Sequence, residues 1–144
     1  PPKFQMSQVN IDRVLQSLQF NETQRMAFRV LAMSQYLEED YQVIKRRYSA
    51  LIQGSSDLEL ILLDNEMENV VICGVAENIC CDSSARDAMM LNYRTSMVSD
   101  GCATSSEEEH GNTLITFYTS FGDVQNTDKL CSRLEASNRR NVTS

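Results

Sequence analysis

The stretch Asn69-Val70-Val71-Ile72-Cys73-Gly74 constrains the fold more than any other part of the chain. It is an apolar run of strand length that ends on glycine. Apolar residues on consecutive positions, instead of alternating ones, read as a strand covered on both faces, the usual state in a parallel sheet. The flanking segments alternate in the same sense. Val43-Ile44 reads as a short strand, and Ser55 or Ser56 as the cap of a helix through Leu58, Leu60, Ile61, Leu62 and Leu63. After Gly74, residues 80–91 follow a helical pattern with Ala85, Ala88, Met89 and Leu91 inward. Residues 93–99 read as the next strand, stopped by Asp100-Gly101. Ser105 with Glu108, or Ser106 with Glu109, makes a capping box for a helix through Leu114, Ile115 and Phe117. Residues 121–124 form a short strand, and Thr127 caps a last helix through Leu130 and Leu134. Strand and helix alternating at these lengths predict an α/β domain, a partial doubly wound parallel sheet over residues 42–136.

Residues 1–40 have another texture. Ile11, Val14, Leu15 and Leu18 make a helical stripe that Asn10 could cap, and Asn21 could cap a second helix carrying Met26, Ala27, Val30 and Leu31. The acidic run Glu38-Glu39-Asp40 closes this part as solvated surface, so a helical segment precedes the α/β domain. Residues 137–144 are polar and are expected to form a disordered tail.

At 144 residues the chain is the size of one domain. Its net charge of −7 argues against a nucleic-acid partner, which calls for a basic face. No apolar run approaches the ~18 residues needed to cross a bilayer, so no membrane partner is expected. The start, Pro1-Pro2-Lys3-Phe4-Gln5, has no apolar signal-peptide core, which points to the cytoplasm. The five cysteines are an odd number and include no CxxC pair, and His110 is the only histidine. Neither a disulfide framework nor a metal site is expected, and no cofactor.

Chemistry concentrates in Gly74-Val75-Ala76-Glu77-Asn78-Ile79-Cys80-Cys81-Asp82-Ser83-Ser84-Ala85-Arg86-Asp87-Ala88. A strand ends, a tight loop follows, and Cys80 falls in the first turn of the next helix. Ligands of open α/β sheets bind at the carboxyl ends of strands, where this loop lies. A helix N-terminus offers unpaired N–H groups and partial positive charge, which favour the nucleophilic thiolate and can hold an oxyanion. Cys80 is therefore a candidate nucleophile. The alternative is a buried cysteine packing as a small hydrophobe.

The same stretch resembles the signature of the isochorismatase-like cysteine hydrolases, which include nicotinamidases, N-carbamoylsarcosine amidases and ureidoacrylate amidohydrolases. Their pattern runs Gly-Val-Ala-Thr-Asn-x-Cys, then small residues, then Ala-Arg-Asp-Ala. Here Glu77 stands for the Thr and Ser84 for a second Thr. The resemblance extends upstream to Lys45-Arg46-Arg47-Tyr48-Ser49-Ala50 and downstream through Tyr93, Val98-Ser99-Asp100, Ser105, His110 and Phe121-Gly122-Asp123-Val124, covering residues 42–134. It implies a Rossmann-type three-layer fold and a Cys, Lys, Asp triad in which Cys80 is the nucleophile and Lys45 the lysine. It further implies a non-proline cis peptide between Val75 and Ala76, and an oxyanion hole from the backbone N–H groups of Ala76 and Cys80. Cys81 falls at an ordinary packing position. The substrate class implied is a small amide or ureido compound, cleaved at C–N through an acyl-thioester. The family is commonly oligomeric, so association with a second copy is expected.

The family's aspartate, the general base, sits at the end of a first strand well upstream of the lysine. Residues 1–44 lack that motif, and Asp12, in a helical pattern, is the nearest candidate. The hydrolase domain therefore reads as truncated, and a catalytically inactive family member acting as a binding or scaffold module stands as the alternative. Phe20 to Val30 also resembles the segment before the phosphate loop of helitron-type helicases, but no GxxxxGK[ST] follows, so nucleotide binding is not inferred.

Overall fold

The computed structural model describes residues 41–142, with side chains through residue 137. The N-terminal helices expected over residues 1–40, and Asp12 among them, lie outside the described residues. The order is helix α1 (Leu58–Asp64), strand β1 (Asn69–Val75), a π-type turn (Glu77–Cys81), helix α2 (Asp82–Met90), strand β2 (Arg94–Ala103), helix α3 (Glu107–Ser120), strand β3 (Asp123–Gln125) and helix α4 (Thr127–Val142). The strands form one sheet in the order β1-β2-β3, both pairings parallel. The expected α/β class with a parallel sheet is what folds.

Val70 and Ile72 of β1 turn toward the helices, and Thr95 and Met97 of β2 do the same, as the two-residue strand period dictates. Met97 packs with Cys81 and Ala85 of the turn and α2, with Cys102, and with Phe117 of α3. A second cluster joins Val70, Leu51, Ala88 and Tyr93, with Leu58 and Leu62 of α1 against it. Arg86 ties α2 to α3. Its Nε donates to both oxygens of Asp82, at 2.9 and 2.8 Å, and its guanidinium lies 4.2 Å over the Phe121 ring. Val71 and Cys73, on the opposite side of β1, are exposed. The consecutive apolar run thus has only one covered face among the described residues.

Several boundaries differ from the sequence reading. Residues 43 and 44 form no strand, being too few to pair and lying in the irregular lead-in to α1. Ser55 and Ser56 do not cap that helix as its Ncap, which is Asp57. Ser56 Oγ accepts from Leu58 N–H (3.2 Å), while Ser55 is buried in the preceding loop. The cysteine helix begins as the π-type turn at Glu77 and becomes α-helical only at Asp82. β2 does not stop at Asp100-Gly101. Its register with β1 jumps from Ile72↔Met97 to Gly74↔Cys102, so residues between 97 and 102 bulge and pairing resumes. Asp100 leaves the ladder to accept from the N–H and hydroxyl of Thr127, both at 2.8 Å. Asn126, whose side chain accepts from Lys129 N–H (2.9 Å), therefore caps α4 in place of Thr127. β3 starts two residues later than expected. α4 runs on to Val142 instead of ending in a disordered tail from residue 137, since no Gly or Pro interrupts it and elongation is cheap once a helix is nucleated.

Of the two capping boxes offered by the sequence, only the N-cap half of the Ser106–Glu109 box forms. Ser106 Oγ accepts from Glu109 N–H at 3.2 Å. The Glu109 carboxylate does not return to Ser106 but accepts from Ser105 and Thr104.

Candidate active site

β1 ends beside the site in backbone geometry that restricts residue choice. Gly74 has φ +129°, a region L side chains rarely adopt, and the Val75–Ala76 peptide is cis. The chain then winds into the π-type turn, where the carbonyl of Ala76 accepts from the N–H groups of Ile79 (3.2 Å), Cys80 (3.0 Å) and Cys81 (3.3 Å). Cys80 is half-buried, while its neighbour Cys81 is buried in the core. A hydrogen bond with the Cys102 thiol, reinforced by burial, pushes the Cys81 thiol far above the ordinary range. The same contact lowers the Cys102 thiol. Cys81 is thus a packing residue with its proton held.

Cys80 opens onto a cavity of about 600 Å³ shared with Lys45, Arg46, Arg47 and Tyr48. Lys45 is an exposed cation that lines the same cavity as the cysteine. Its ammonium donates to the carbonyls of Arg47 (3.1 Å) and Tyr48 (3.2 Å). The loop carrying it is pinned from behind by Ser55. Ser55 accepts the N–H of Arg46 on its carbonyl (3.0 Å) and that of Arg47 on Oγ (3.2 Å), and its Oγ donates to Ser49 carbonyl (2.6 Å).

Ser84 connects the two halves of the site. Its Oγ donates to the Cys80 carbonyl (2.8 Å) and accepts the N–H of Ala50 (3.0 Å). One hydroxyl therefore holds the cysteine turn against the lysine loop. The sequence reading placed Ser84 in a motif without a role. The available signal was its position four residues after Cys80, the spacing at which a helical Ser bonds the carbonyl behind it.

Glu77 is a second residue of the motif whose place only the fold shows. It is fully buried, contacts His110 Nδ1 through one carboxylate oxygen, and among the described residues the other oxygen has no partner. Burial raises its pKa, and the His110 hydrogen bond and charge work against that rise. Next to it Asn78 Oδ1 accepts from the Thr104 hydroxyl at 2.6 Å. Glu77 and Asn78 thus fasten the cysteine turn to the start of α3 and the end of β2. Of the oxyanion pair inferred from the resemblance, the Cys80 N–H is engaged with the Ala76 carbonyl in this structure. No group of three His, Cys, Asp or Glu side chains among the described residues is placed to hold a metal ion.

A family model described as the isochorismatase domain matches residues 5–129. The chain belongs to the isochorismatase family. The match begins at residue 5, inside the segment that residue pattern sets apart from the α/β domain. Among relatives, the isochorismatase family protein YwoC of Bacillus subtilis (strain 168) is 33% identical over 96 residues, covering 67% of this chain and 50% of that protein. Nicotinamidase 3 of Arabidopsis thaliana is 33% identical over 91 residues, covering 63% of this chain and 45% of that one. The crystal structure of an isochorismatase-like hydrolase from Alkaliphilus metalliredigens superposes with a TM-score of 0.63 at 33% identity, covering 68% of this chain and 53% of that chain. The chain spans about half the length of the curated relatives it matches. No helix among the described residues is long and apolar enough to cross a membrane.

Proposed function

We propose that this isochorismatase-family chain acts as a cysteine hydrolase on the C–N bond of a small amide or ureido compound. The observation that carries the reading is the shared cavity: Cys80 and Lys45, some 35 residues apart in sequence, line one opening at the carboxyl end of β1. The Cys80 thiolate attacks the carbonyl carbon, forming a C–S bond. The tetrahedral intermediate collapses with loss of the C–N bond, and the nitrogen leaves as ammonia or an amine, taking a proton from water. A second water hydrolyses the thioester, releasing the acid and restoring the thiol. Lys45, at the same opening, supplies positive charge toward the negative charge that develops on the carbonyl oxygen. Backbone N–H groups of Ala76 and Cys80 receive the oxyanion. The Cys80 N–H exchanges its neutral carbonyl partner for a charged one, the stronger acceptor.

An inactive module is the second reading. The observation favouring it is that, among the described residues, no carboxylate lines the cavity to take the thiol proton. Ammonia release from a panel of small amides and ureido compounds, nicotinamide included, separates the two. Activity abolished by Cys80→Ala and retained in Cys131→Ala supports the hydrolase. Activity surviving Cys80→Ala removes Cys80 as the nucleophile, and no release from any member of the panel supports the module. Cytoplasmic placement and self-association, both expected from the sequence, belong with the same proposal.

A further inference from the structure

We propose that Cys81 and Cys102 form a reversible disulfide under peroxide, one that clamps the cysteine turn onto β2. The pairing goes beyond the hydrolase reading and stands whether or not Cys80 is a nucleophile. Among the described residues, Cys81 and Cys102 are the two buried cysteines, and both sit in the cluster around Met97, Ala85 and Phe117. β2 resumes its pairing after the bulge with Cys102 opposite Gly74. Side chains at paired positions of neighbouring strands turn to the same face. Cys81 reaches that point from the turn, since a Cβ on Gly74 would stand 3.7 Å from its Sγ. Glycine at position 74 therefore leaves the space in which the two thiols meet, and they share a hydrogen bond there. Disulfides form between cysteines already held at short range and facing each other. Strand register on one side and the π-type turn on the other supply both conditions.

The other thiols are placed differently. Cys73 is exposed on the opposite side of β1, Cys131 is exposed on α4, and Cys80 opens onto its cavity. Cys81 donates the shared hydrogen bond, which favours the Cys102 thiolate, the form that attacks peroxide. The Cys102 sulfur attacks one peroxide oxygen, the O–O bond breaks, and hydroxide leaves to take up the Cys102 proton as water. Cys102 is then a sulfenic acid. The Cys81 sulfur attacks that sulfur, the S–S bond forms as the S–O bond breaks, and the second hydroxide leaves with the Cys81 proton as water. The two thiols are oxidised to one disulfide while one hydrogen peroxide is reduced to two waters. The bridge joins the residue after Cys80 to β2 and closes the loop between residues 81 and 102. The turn loses freedom to move, and a thiol reductant restores it.

In the test, the reduced full chain is treated with hydrogen peroxide, its remaining thiols are blocked with N-ethylmaleimide, and it is digested with trypsin without reductant. The expected product is peptide 48–86 linked to peptide 95–129, with the bridge placed at Cys81 and Cys102 by fragmentation. The link is expected to outweigh any other cysteine pair by about fivefold, to vanish in Cys81→Ala and in Cys102→Ala, and to persist in Cys73→Ala and Cys80→Ala. The unaltered chain gives a reading that no folding defect can mask: its urea midpoint is expected to rise by about 1 M on oxidation and to return with dithiothreitol. A link that persists in Cys81→Ala, or that runs from Cys73 or Cys80 in the unaltered chain, overturns the pairing. Oxygen added to the sulfurs without any link overturns it too. A linked chain whose midpoint stays put or falls overturns the clamp.

Discussion

Glu77 is fully buried against His110. Burial raises its carboxyl above the ordinary value of 4.5. A carboxyl raised in the folded state binds its proton more tightly there than in the unfolded chain. Its contribution to stability is therefore fullest below about pH 4.5 and is lost as pH rises through the folded value. Glu77→Gln, which does not titrate, is predicted to gain stability relative to the unaltered chain between about pH 4 and about pH 7, followed by urea denaturation at each pH. A variant that loses ground over that interval contradicts the assignment. Ser84 gives a second prediction at this scale. Removing its hydroxyl strands the Ala50 N–H and releases the Cys80 carbonyl, so Ser84→Ala is expected to lose about 2 kcal/mol and Ser84→Thr to lose little. Equal losses in the two variants would show that the hydroxyl is not the link. Neither residue's role was readable from the sequence. A motif shows which residue types recur near the cysteine, and only folding shows that the Ser84 hydroxyl, which bonds the Cys80 carbonyl, also meets Ala50, 34 residues before it.

At the scale of elements, the readable features were those set by local chemistry. The Gly-terminated apolar run became β1, Ser106 capped α3, and both strand pairings are parallel. What was missed depends on contacts distant in sequence. Asp100-Gly101 looked like a strand stop because both residues favour turns, yet Asp100 anchors Thr127 while the strand bulges and resumes. Gly122 shows the same dependence. A Cβ there would overlap the Thr95 carbonyl oxygen and come within 2.8 Å of the Phe117 ring, so α3, β2 and the start of β3 close up only around glycine. Gly122→Ala is predicted to cost about 3 kcal/mol or more, because the obstruction is main chain and cannot rotate away. A loss within about 0.5 kcal/mol, measured by chemical denaturation, would contradict this close approach.

Across the whole molecule, the sheet has one face against α2 and α3, while Val71 and Cys73 of the other face are exposed and β1 has no strand on its outer side among the described residues. Exposed apolar strand surface is a template for association. The chain is expected to sediment as a dimer or larger species at micromolar concentration, with Val71→Lys shifting it toward the monomer. A monomer at all concentrations in both forms would contradict the expectation. The consecutive apolar pattern of β1 announced two covered faces, and α2 and α3 account for one of them.

The most direct measurement of the central claim is the rate at which iodoacetamide alkylates each cysteine near pH 7, read by peptide mass spectrometry in the unaltered chain and in Lys45→Met. A thiol that opens onto a cavity with a fixed ammonium is predicted to react about tenfold faster than exposed Cys131, and to lose most of that advantage without Lys45. Equal rates at Cys80 and Cys131, unaffected by Lys45→Met, would contradict an activated nucleophile in this fold.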